Sequence, residues 1–267
     1  MGFFWVKLKP CKAYHLMVES VSNYRNTKTF YSQYSYSYIK GGKMLVSGYP
    51  PKTIDGKQVV EILFFFVGNQ ANFYGPVFNR LVFRYASGFE SKKLGENLPE
   101  DVYSFEQVRE YIIRNLDRYP HGYCALLYGL IKAEVSLQGV TGVSTRIAAI
   151  KTAEKLRLAS EGEVESTGTI TDAMKKCHEG IRAGKLLPDF DYKLVGGEQI
   201  RCTIHNCHFR DACKASIEEN LGRAGGSPWC ALLRYAVADI SLISGLQFEY
   251  ELEEFGSPNC KGKIYEI

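Results

Sequence analysis

The chain lacks the short motifs that identify many nucleotide-binding proteins and hydrolases. Its 267 residues contain no Gly-x-Gly-x-x-Gly loop, no P-loop, no Gly-x-Ser-x-Gly elbow and no His-Glu-x-x-His zinc motif. No internal repeat or low-complexity segment is visible either. Because no nucleophile and base can be paired from the sequence, we expect a protein that binds rather than one that catalyses.

The sequence pattern also lacks a targeting segment and a membrane-spanning segment. The apolar run in MGFFWVKLKP is broken by Lys7 and Lys9, and no small-residue cleavage site follows it. The run VVEILFFFVG is too short to cross a bilayer and contains Glu61. Eight cysteines are too few for a disulfide scaffold of this length, so we expect a cytoplasmic protein whose cysteines are free thiols or metal ligands.

The residues that are present are typical of a globular protein with one large domain or two ordinary ones. Apolar residues make up 45% of the chain and charged residues 23%, which argues against disorder. The net charge of +4 is uneven, since residues 1–100 hold 13 Lys and Arg against 6 Asp and Glu, while the remainder holds 20 against 23. Because this first part is basic and rich in aromatic residues, one interpretation is that it binds nucleic acid or an acidic partner. The other interpretation is that its lysines form a solvent-exposed face, which the absence of a run of basic residues favours.

Residues 1–100 are predicted to form a β-rich N-terminal domain. Runs rich in aromatic and β-branched residues alternate with Asn, Gly and Pro signals, and FYSQYSYSY shows the two-residue period of a half-buried strand. The last predicted strand is QVVEILFFFVG, which follows the turn IDGK. A short helix with Pro76 in its first turn comes next, and SKKLGENLPED is the predicted linker.

Residues 101–267 are predicted to form a second domain in which helices precede antiparallel strands. A capping box at Ser104 begins the first helix, and the strands DYKLV and EQIRCTI flank a Gly-Gly turn. The helix SPWCALLRYAVADISLISG is apolar on almost every side, and we predict its cap at Ser227 and its end at Gly245. Asp239 within it lies either on an exposed edge or in the interior, where it needs a partner. The last predicted element is a hairpin of FEYELEEF and KGKIYEI.

The stretch IRCTIHNCHFRDAC concentrates cysteine and histidine, yet its spacing is neither that of a zinc knuckle nor that of a bacterial ferredoxin. If Ile200 to Cys207 is a strand, His205 and Cys207 share one face and Cys202 the other, so a metal would need further ligands, for which Cys230 and Cys260 are the candidates. Three interpretations stay open: buried apolar thiols, a zinc or iron–sulfur site on these five residues, or a redox switch. Cys230 is the predicted redox thiol, because a helix N-terminus favours its thiolate.

Beyond these patterns, the C-terminal segment resembles the 4-vinyl reductase domain, also called the hydrocarbon-binding domain. The resemblance is carried by NCHF, then SPWCALLRYAVADISLISGLQFEYELEE, then GSPNCKGKIYEI. Cys207, Cys230, and Gly256 with Cys260 fall on positions typical of the family, and the match is specific over about the last 65 residues. The family often has a further cysteine after its acidic strand, but residues 252–255 contain none.

The resemblance implies an α+β ligand-binding fold related to the TRAPP subunits, usually dimeric, with a pocket for a small apolar or aromatic molecule. Helices in residues 122–160 and 228–244 would supply the pocket walls. The implied ligand-contact residues are Tyr123, Tyr128, Trp229, Leu233, Tyr235 and Val237. We therefore expect a homodimeric sensor or adaptor protein, with a cysteine- and histidine-based metal or redox sensor as the alternative.

Overall fold

The computed structural model describes residues 55–96, 104–138, 143–161, 166–184, 186–197, 199–221, 228–256 and 258–267. All of these residues belong to one compact unit, Pro51–Ile267. They form eight helices and one four-stranded antiparallel sheet, which confirms the predicted α+β class. None of the described helices is both long and apolar enough to cross a membrane.

Eight helices and four strands follow one another along the described chain. The helices are α1 (Gly56–Tyr74), α2 (Pro76–Leu94), α3 (Phe105–Arg114), α4 (Tyr123–Gln138), α5 (Val143–Glu161), α6 (Ile170–Gly184), α7 (Arg210–Glu218) and α8 (Ala231–Ser244). The strands are β1 (Phe190–Val195), β2 (Gln199–His205), β3 (Phe248–Glu254) and β4 (Asn259–Glu266).

Helix α1 takes the place of the strand predicted from QVVEILFFFVG, so that prediction is wrong. Asp55 caps the helix, since its carboxylate accepts hydrogen bonds from the backbone N–H groups of Lys57 at 3.0 Å and Gln58 at 3.3 Å. Aromatic and β-branched residues favour strands, but burial along a helical period overrides that preference. The buried apolar residues of α1 are Val59, Val60, Leu63, Phe64, Phe66 and Val67.

The β-rich domain predicted for residues 1–100 gains no support from the described part of that range. Residues 55–96 contain only the helices α1 and α2, and the other predicted strands lie outside the described residues. The helix predicted with Pro76 in its first turn is confirmed. It extends to Leu94 and thereby includes the start of the predicted linker, because the apolar spacing of a helix continues that far.

Helices α2 and α4 pack so closely that their backbones touch at Gly129. A Cβ atom at residue 129 would lie 2.4 Å from the carbonyl oxygen of Val82 and 2.9 Å from the backbone nitrogen of Ala86. Only glycine permits this approach. The helices that precede residue 100 therefore pack directly on helices that follow it.

The predicted capping box at the start of α3 is confirmed. The Ser104 hydroxyl accepts from the backbone N–H of Gln107 at 3.3 Å, and the Gln107 side chain accepts from the backbone N–H of Ser104 at 3.2 Å. Arg109 then joins α3 to α1, since its Nε donates to Glu61 over 2.6 Å.

The four strands lie in the order β1-β2-β4-β3, and every neighbouring pair is antiparallel. Both predicted hairpins are confirmed, including the Gly-Gly turn, in which Gly196 and Gly197 have φ of 67° and 85°. Helix α8 covers the buried face of the sheet. Its Leu233 lies so near Gly262 that a Cβ atom there would be 2.6 Å from Leu233 Cδ1.

Helix α8 lies between two groups of buried apolar residues. The helical core comprises the buried residues of α1–α5 with Phe209, Ala212, Trp229 and Ala238, and the sheet core comprises those of α6, α8 and the four strands with Cys230. Cys230 is the residue before the first turn of α8, so the predicted cap at Ser227 is wrong by three residues. The predicted end at Gly245, with φ of 74°, is confirmed.

Asp239, in the middle of α8, is buried and has a partner on α5. The guanidinium of Arg157 donates to both of its carboxylate oxygens, from Nε over 2.5 Å and from a terminal nitrogen over 2.6 Å. Both residues are under 5% exposed. Of the two interpretations of Asp239, the buried carboxylate is therefore the correct one.

Candidate functional site

A sharp turn after β2 brings Cys207 to the end of the sheet where β4 begins. Strand β2 ends at His205, so the predicted strand stops two residues short of Cys207. Asn206 has φ of 45°, a left-handed conformation that asparagine tolerates, and its backbone N–H donates to the carbonyl of Pro258 over 3.2 Å. Strand parity therefore does not determine where Cys207 points, because the chain has already turned.

Five cysteines from separate segments lie close enough for their thiols to interact electrostatically, and we call them the thiol cluster: Cys124, Cys207, Cys213, Cys230 and Cys260. Cys213, on α7, interacts with each of the other four. Cys207 interacts with Cys230, Cys260 and Cys124 as well. The fold thus gathers residues from α4, α7, β4, the β2–α7 segment and the start of α8.

Burial raises the pKa of three thiols of the cluster. It raises the pKa of Cys124 to about 12 and that of Cys213 well above its usual value. Cys207 is partly exposed as a residue, yet desolvation of its thiol also raises its pKa well above the usual range. Cys124 donates to the carbonyl of His208 over 3.2 Å, and Cys213 to that of Trp229 over 3.8 Å.

Two of the predicted metal ligands are not among the five cysteines of the thiol cluster. His205 is on the outer face of the sheet, where its Nε2 lies 2.8 Å from a carboxylate oxygen of Asp191 and its Nδ1 3.2 Å from Asn259. Cys202 is on the inner face within the sheet core, and burial raises its pKa to about 12. Its thiol interacts electrostatically with those of Cys230, in the cluster, and Cys177, on α6. Three of the five predicted ligands, Cys207, Cys230 and Cys260, therefore lie in the cluster. The other two members, Cys124 and Cys213, are not among the predicted ligands.

The thiol cluster is not a ready-made ligand set. In the part of the chain that the structure describes, no three or more Cys, His, Asp or Glu side chains are arranged to hold a metal ion. A zinc ion bound there would need the thiols to rearrange and to release their protons. Cys230, the predicted redox thiol, is only 4% exposed, which limits its contact with oxidants.

The six predicted ligand-contact residues divide between the two cores. The helical core holds three of them: Tyr123, Tyr128 and Trp229. The sheet core holds two: Leu233 and Val237. Tyr235 is partly buried and packs against both cores. The three in the helical core are thus separated from Leu233 and Val237.

Helix α2 carries a carboxyl group, Glu90, into the protein interior. Glu90 is 0% exposed, and neither of its carboxyl oxygens has a hydrogen-bond partner in the described part of the chain. These oxygens would lie 3.1 and 3.3 Å from a Cβ atom at Gly122, so the carboxyl group packs directly against the backbone of this glycine. Burial, and after it the negative charge of Glu96, raise the pKa of Glu90 to about 8.

His208 is a second buried polar residue beside the same turn. It is 5% exposed and lies among aromatic rings, with centroids 5.5 Å from Tyr123 and 4.3 Å from Phe209. Burial and then His121 lower its pKa to about 4, so the ring is neutral at pH 7. The backbone carbonyl of Leu186 lies near the ring and raises the pKa against these two effects. It does not have the geometry of a hydrogen bond to either ring nitrogen.

The turn over residues 119–124 connects these features. Gly122 touches Glu90, and Cys124 joins the thiol cluster to the backbone of His208. Tyr119 fixes the turn to α7 by donating its hydroxyl to Asp211 over 2.7 Å. This arrangement offers buried hydrogen-bonding groups in apolar surroundings, which is what orients a small ligand in a pocket.

Sequence reasoning missed Glu90, His208 and Cys124. A signal for Glu90 existed, since it continues the four-residue series of Phe78, Val82 and Ala86 along the buried face of α2. His208 had no comparable signal, because the turn after β2 that directs it inward follows from tertiary contacts.

No protein-family model, no curated protein and no solved structure matches the chain.

Proposed function

We propose that this chain is a small-molecule-binding protein that acts as a sensor or adaptor, with a fold of the 4-vinyl reductase and TRAPP-like type. The ligand would lie in the helical core beside the turn 119–124. Most of its contacts would be apolar or aromatic, from residues such as Tyr123 and Trp229. The few polar contacts would fix its orientation.

One observation carries the proposal. Glu90 and His208 are at most 5% exposed, and none of their side-chain nitrogen and oxygen atoms has a hydrogen-bond partner in the described part of the chain. Leaving a buried polar group unpaired costs about 1–3 kcal/mol, so two such side chains beside one turn are a substantial cost. A bound molecule, or water in its absence, would supply the missing partners.

Extraction of the purified protein tests this proposal. Protein purified without denaturant should release a small apolar or aromatic molecule when it is unfolded in organic solvent and analysed by mass spectrometry. Small aromatic compounds should raise the melting temperature, because they bind only the folded chain. Protein that is empty in repeated preparations and gains no stability from such compounds would contradict the proposal.

A second candidate function is that of a metal-binding or thiol redox sensor. It is favoured by the thiol cluster, in which five cysteines from separate segments meet. Zinc or an iron–sulfur cluster would be held by thiolates, so each thiol that coordinates the metal would lose its proton on binding. In the redox version, two thiols would join in a disulfide as a peroxide is reduced to water or an alcohol.

Elemental analysis addresses the metal version after anaerobic purification. A metal content near one per chain would support it, and less than about a tenth of a metal per chain would exclude it. Mass spectrometry after mild peroxide treatment addresses the redox version. A disulfide between two members of the cluster is expected, and unchanged thiols under conditions that oxidise glutathione would exclude it.

The resemblance also suggests a homodimer, which we propose with the binding function. Light scattering coupled to size-exclusion chromatography should give about twice the mass of the 30.1 kDa chain. Nucleic acid stays a weaker proposal, because its basis is the charge of residues 1–100, of which the structure describes only 55–96. Binding that weakens steeply with salt would support it.

A further inference from the structure

We infer that Glu90 recognises a cationic nitrogen, so that the ligand of the helical core carries a protonated amine on an otherwise apolar body. This inference rests on the proposed binding function and adds the chemical class of the ligand. The position of the carboxyl, the acceptors around it and the pairing of the neighbouring charges support it.

The position of Glu90 places a carboxyl group at the end of an apolar row. Phe78, Val82 and Ala86 precede it on the same face of α2, and each is 0% exposed. A group at Glu90 is therefore presented to the protein interior and away from solvent. A buried carboxyl without a hydrogen-bond donor is unfavourable, so a ligand gains affinity by supplying one.

Once Glu90 is ionised, the oxygens that meet at this point are all acceptors. Both carboxyl oxygens of Glu90 and the carbonyl oxygen of Tyr119 lie 3.1 to 3.3 Å from the position of a Cβ atom on Gly122. The Tyr119 carbonyl accepts one hydrogen bond, from the backbone N–H of Gly122 over 2.9 Å, which leaves its second lone pair. An ammonium group carries three N–H donors and can serve several of these acceptors at once.

Two cations in neighbouring parts of the chain are already paired with other carboxylates. Arg118 forms an ion pair with Glu96, and Lys93 lies 3.2 Å from Asp211. Within the described residues, no cation forms an ion pair or hydrogen bond with Glu90. An anionic ligand would add a like charge beside these carboxyl groups, whereas an ammonium ion would compensate the charge of Glu90.

Binding of an amine would also move a proton. In the unliganded protein the carboxyl of Glu90 is mostly protonated at neutral pH, since burial and Glu96 raise its pKa to about 8. When an ammonium ion binds, the carboxyl loses this proton to solvent and the resulting carboxylate pairs with the ammonium. Up to one proton is therefore released for each amine bound near pH 7.

A panel of three matched probes tests the inference: hexylamine, hexanol and hexanoate, which share an apolar body and differ in the polar end. Wild-type protein should bind hexylamine at least about tenfold more tightly than hexanol or hexanoate. Glu90→Gln should lose that preference and keep its affinity for hexanol. Glu179→Gln, which alters an exposed carboxylate on α6, is the matched control and should behave as the wild type.

Calorimetry on the wild-type protein provides a measurement that does not depend on the folding of a variant. Hexylamine titrations in phosphate and in Tris should differ in heat by the amount that proton release requires. Equal heats, or a retained preference for hexylamine in folded Glu90→Gln, would overturn the inference and leave the binding function intact if hexanol binds. If no probe binds and extraction yields no ligand, both the inference and the proposed function fail.

Discussion

Glu90 and His208 shift their pKa values in opposite directions, and so they affect stability in opposite pH ranges. The pKa of Glu90 rises on folding from 4.5 to about 8, so the folded chain binds more protons between these values. Its contribution to stability is complete below pH 4.5 and is lost as the pH rises through 8. The pKa of His208 falls from 6.5 to about 4, so its contribution is lost as the pH falls through that window.

Glu90→Gln should therefore flatten the pH profile of stability on its alkaline side. We expect the wild-type free energy of unfolding to decline between about pH 6 and 8.5, and the decline to be much smaller in the variant. Urea denaturation across this range measures it, with Glu179→Gln as an exposed control. An equal decline in both proteins would show that Glu90 is not the titrating group.

Asp239 supports a second prediction for a single residue. Asp239→Asn should destabilise the protein by about 3–5 kcal/mol, because it removes the carboxylate charge that pairs with the buried guanidinium of Arg157. The matched control is Glu218→Gln, which removes an exposed pair with Lys214 on α7 and should cost less than about 0.5 kcal/mol. Chemical denaturation compares the two, and similar losses would contradict the buried-pair interpretation.

At the scale of elements, α2 and α4 can cross this closely only because residue 129 is a glycine and has no side chain. Gly129→Ala would place a methyl group 2.4 Å from the carbonyl oxygen of Val82, so the helices must separate. We expect a loss of about 1–3 kcal/mol. Gly88→Ala, also within a helix but with nothing inside 4 Å of the new methyl group, should stabilise by about 0.5–1 kcal/mol. Thermal unfolding measures both, and a stabilising Gly129→Ala would refute the close contact.

Elements were predictable from sequence where local signals agreed with burial. The capping box at Ser104 and the hairpin turns are local hydrogen-bond and φ requirements, and both are confirmed. Helix α1 was missed because aromatic and β-branched residues such as Phe64 and Val67 favour strands locally, while tertiary packing decides their burial. The start of α8 was missed because Pro228 also suits an extended segment before a helix.

The candidate site was less predictable than the elements, since it depends on contacts between distant segments. Cys207, Cys230 and Cys260 were expected to meet, but nothing local places Cys124 beside them. His205 was expected among the ligands, yet its side chain pairs with Asp191 on the other face of the sheet. Sequence spacing identifies which residue types are available, whereas the packing of α4 and α7 decides which of them share a site.

At the scale of the molecule, the helical core and the sheet core share one helix and one buried ion pair. Helix α8 contributes Ala238 to the helical core and Leu233 to the sheet core, and Asp239 ties it to Arg157 of α5. Elements linked through a common buried helix are expected to unfold as one cooperative unit. The described chain should therefore lose both cores in a single transition.

Cysteine labelling can follow each core separately without any substitution, because Cys124 reports on the helical core and Cys202 on the sheet core. Brief pulses of iodoacetamide at increasing urea concentration, followed by peptide mass spectrometry, should label both residues with the same midpoint. Both thiols are under 4% exposed, so neither reacts appreciably before unfolding. Labelling of Cys202 at a clearly lower urea concentration would mean that the sheet opens while the helices stay folded. In that case α8 and its ion pair would not couple the two cores.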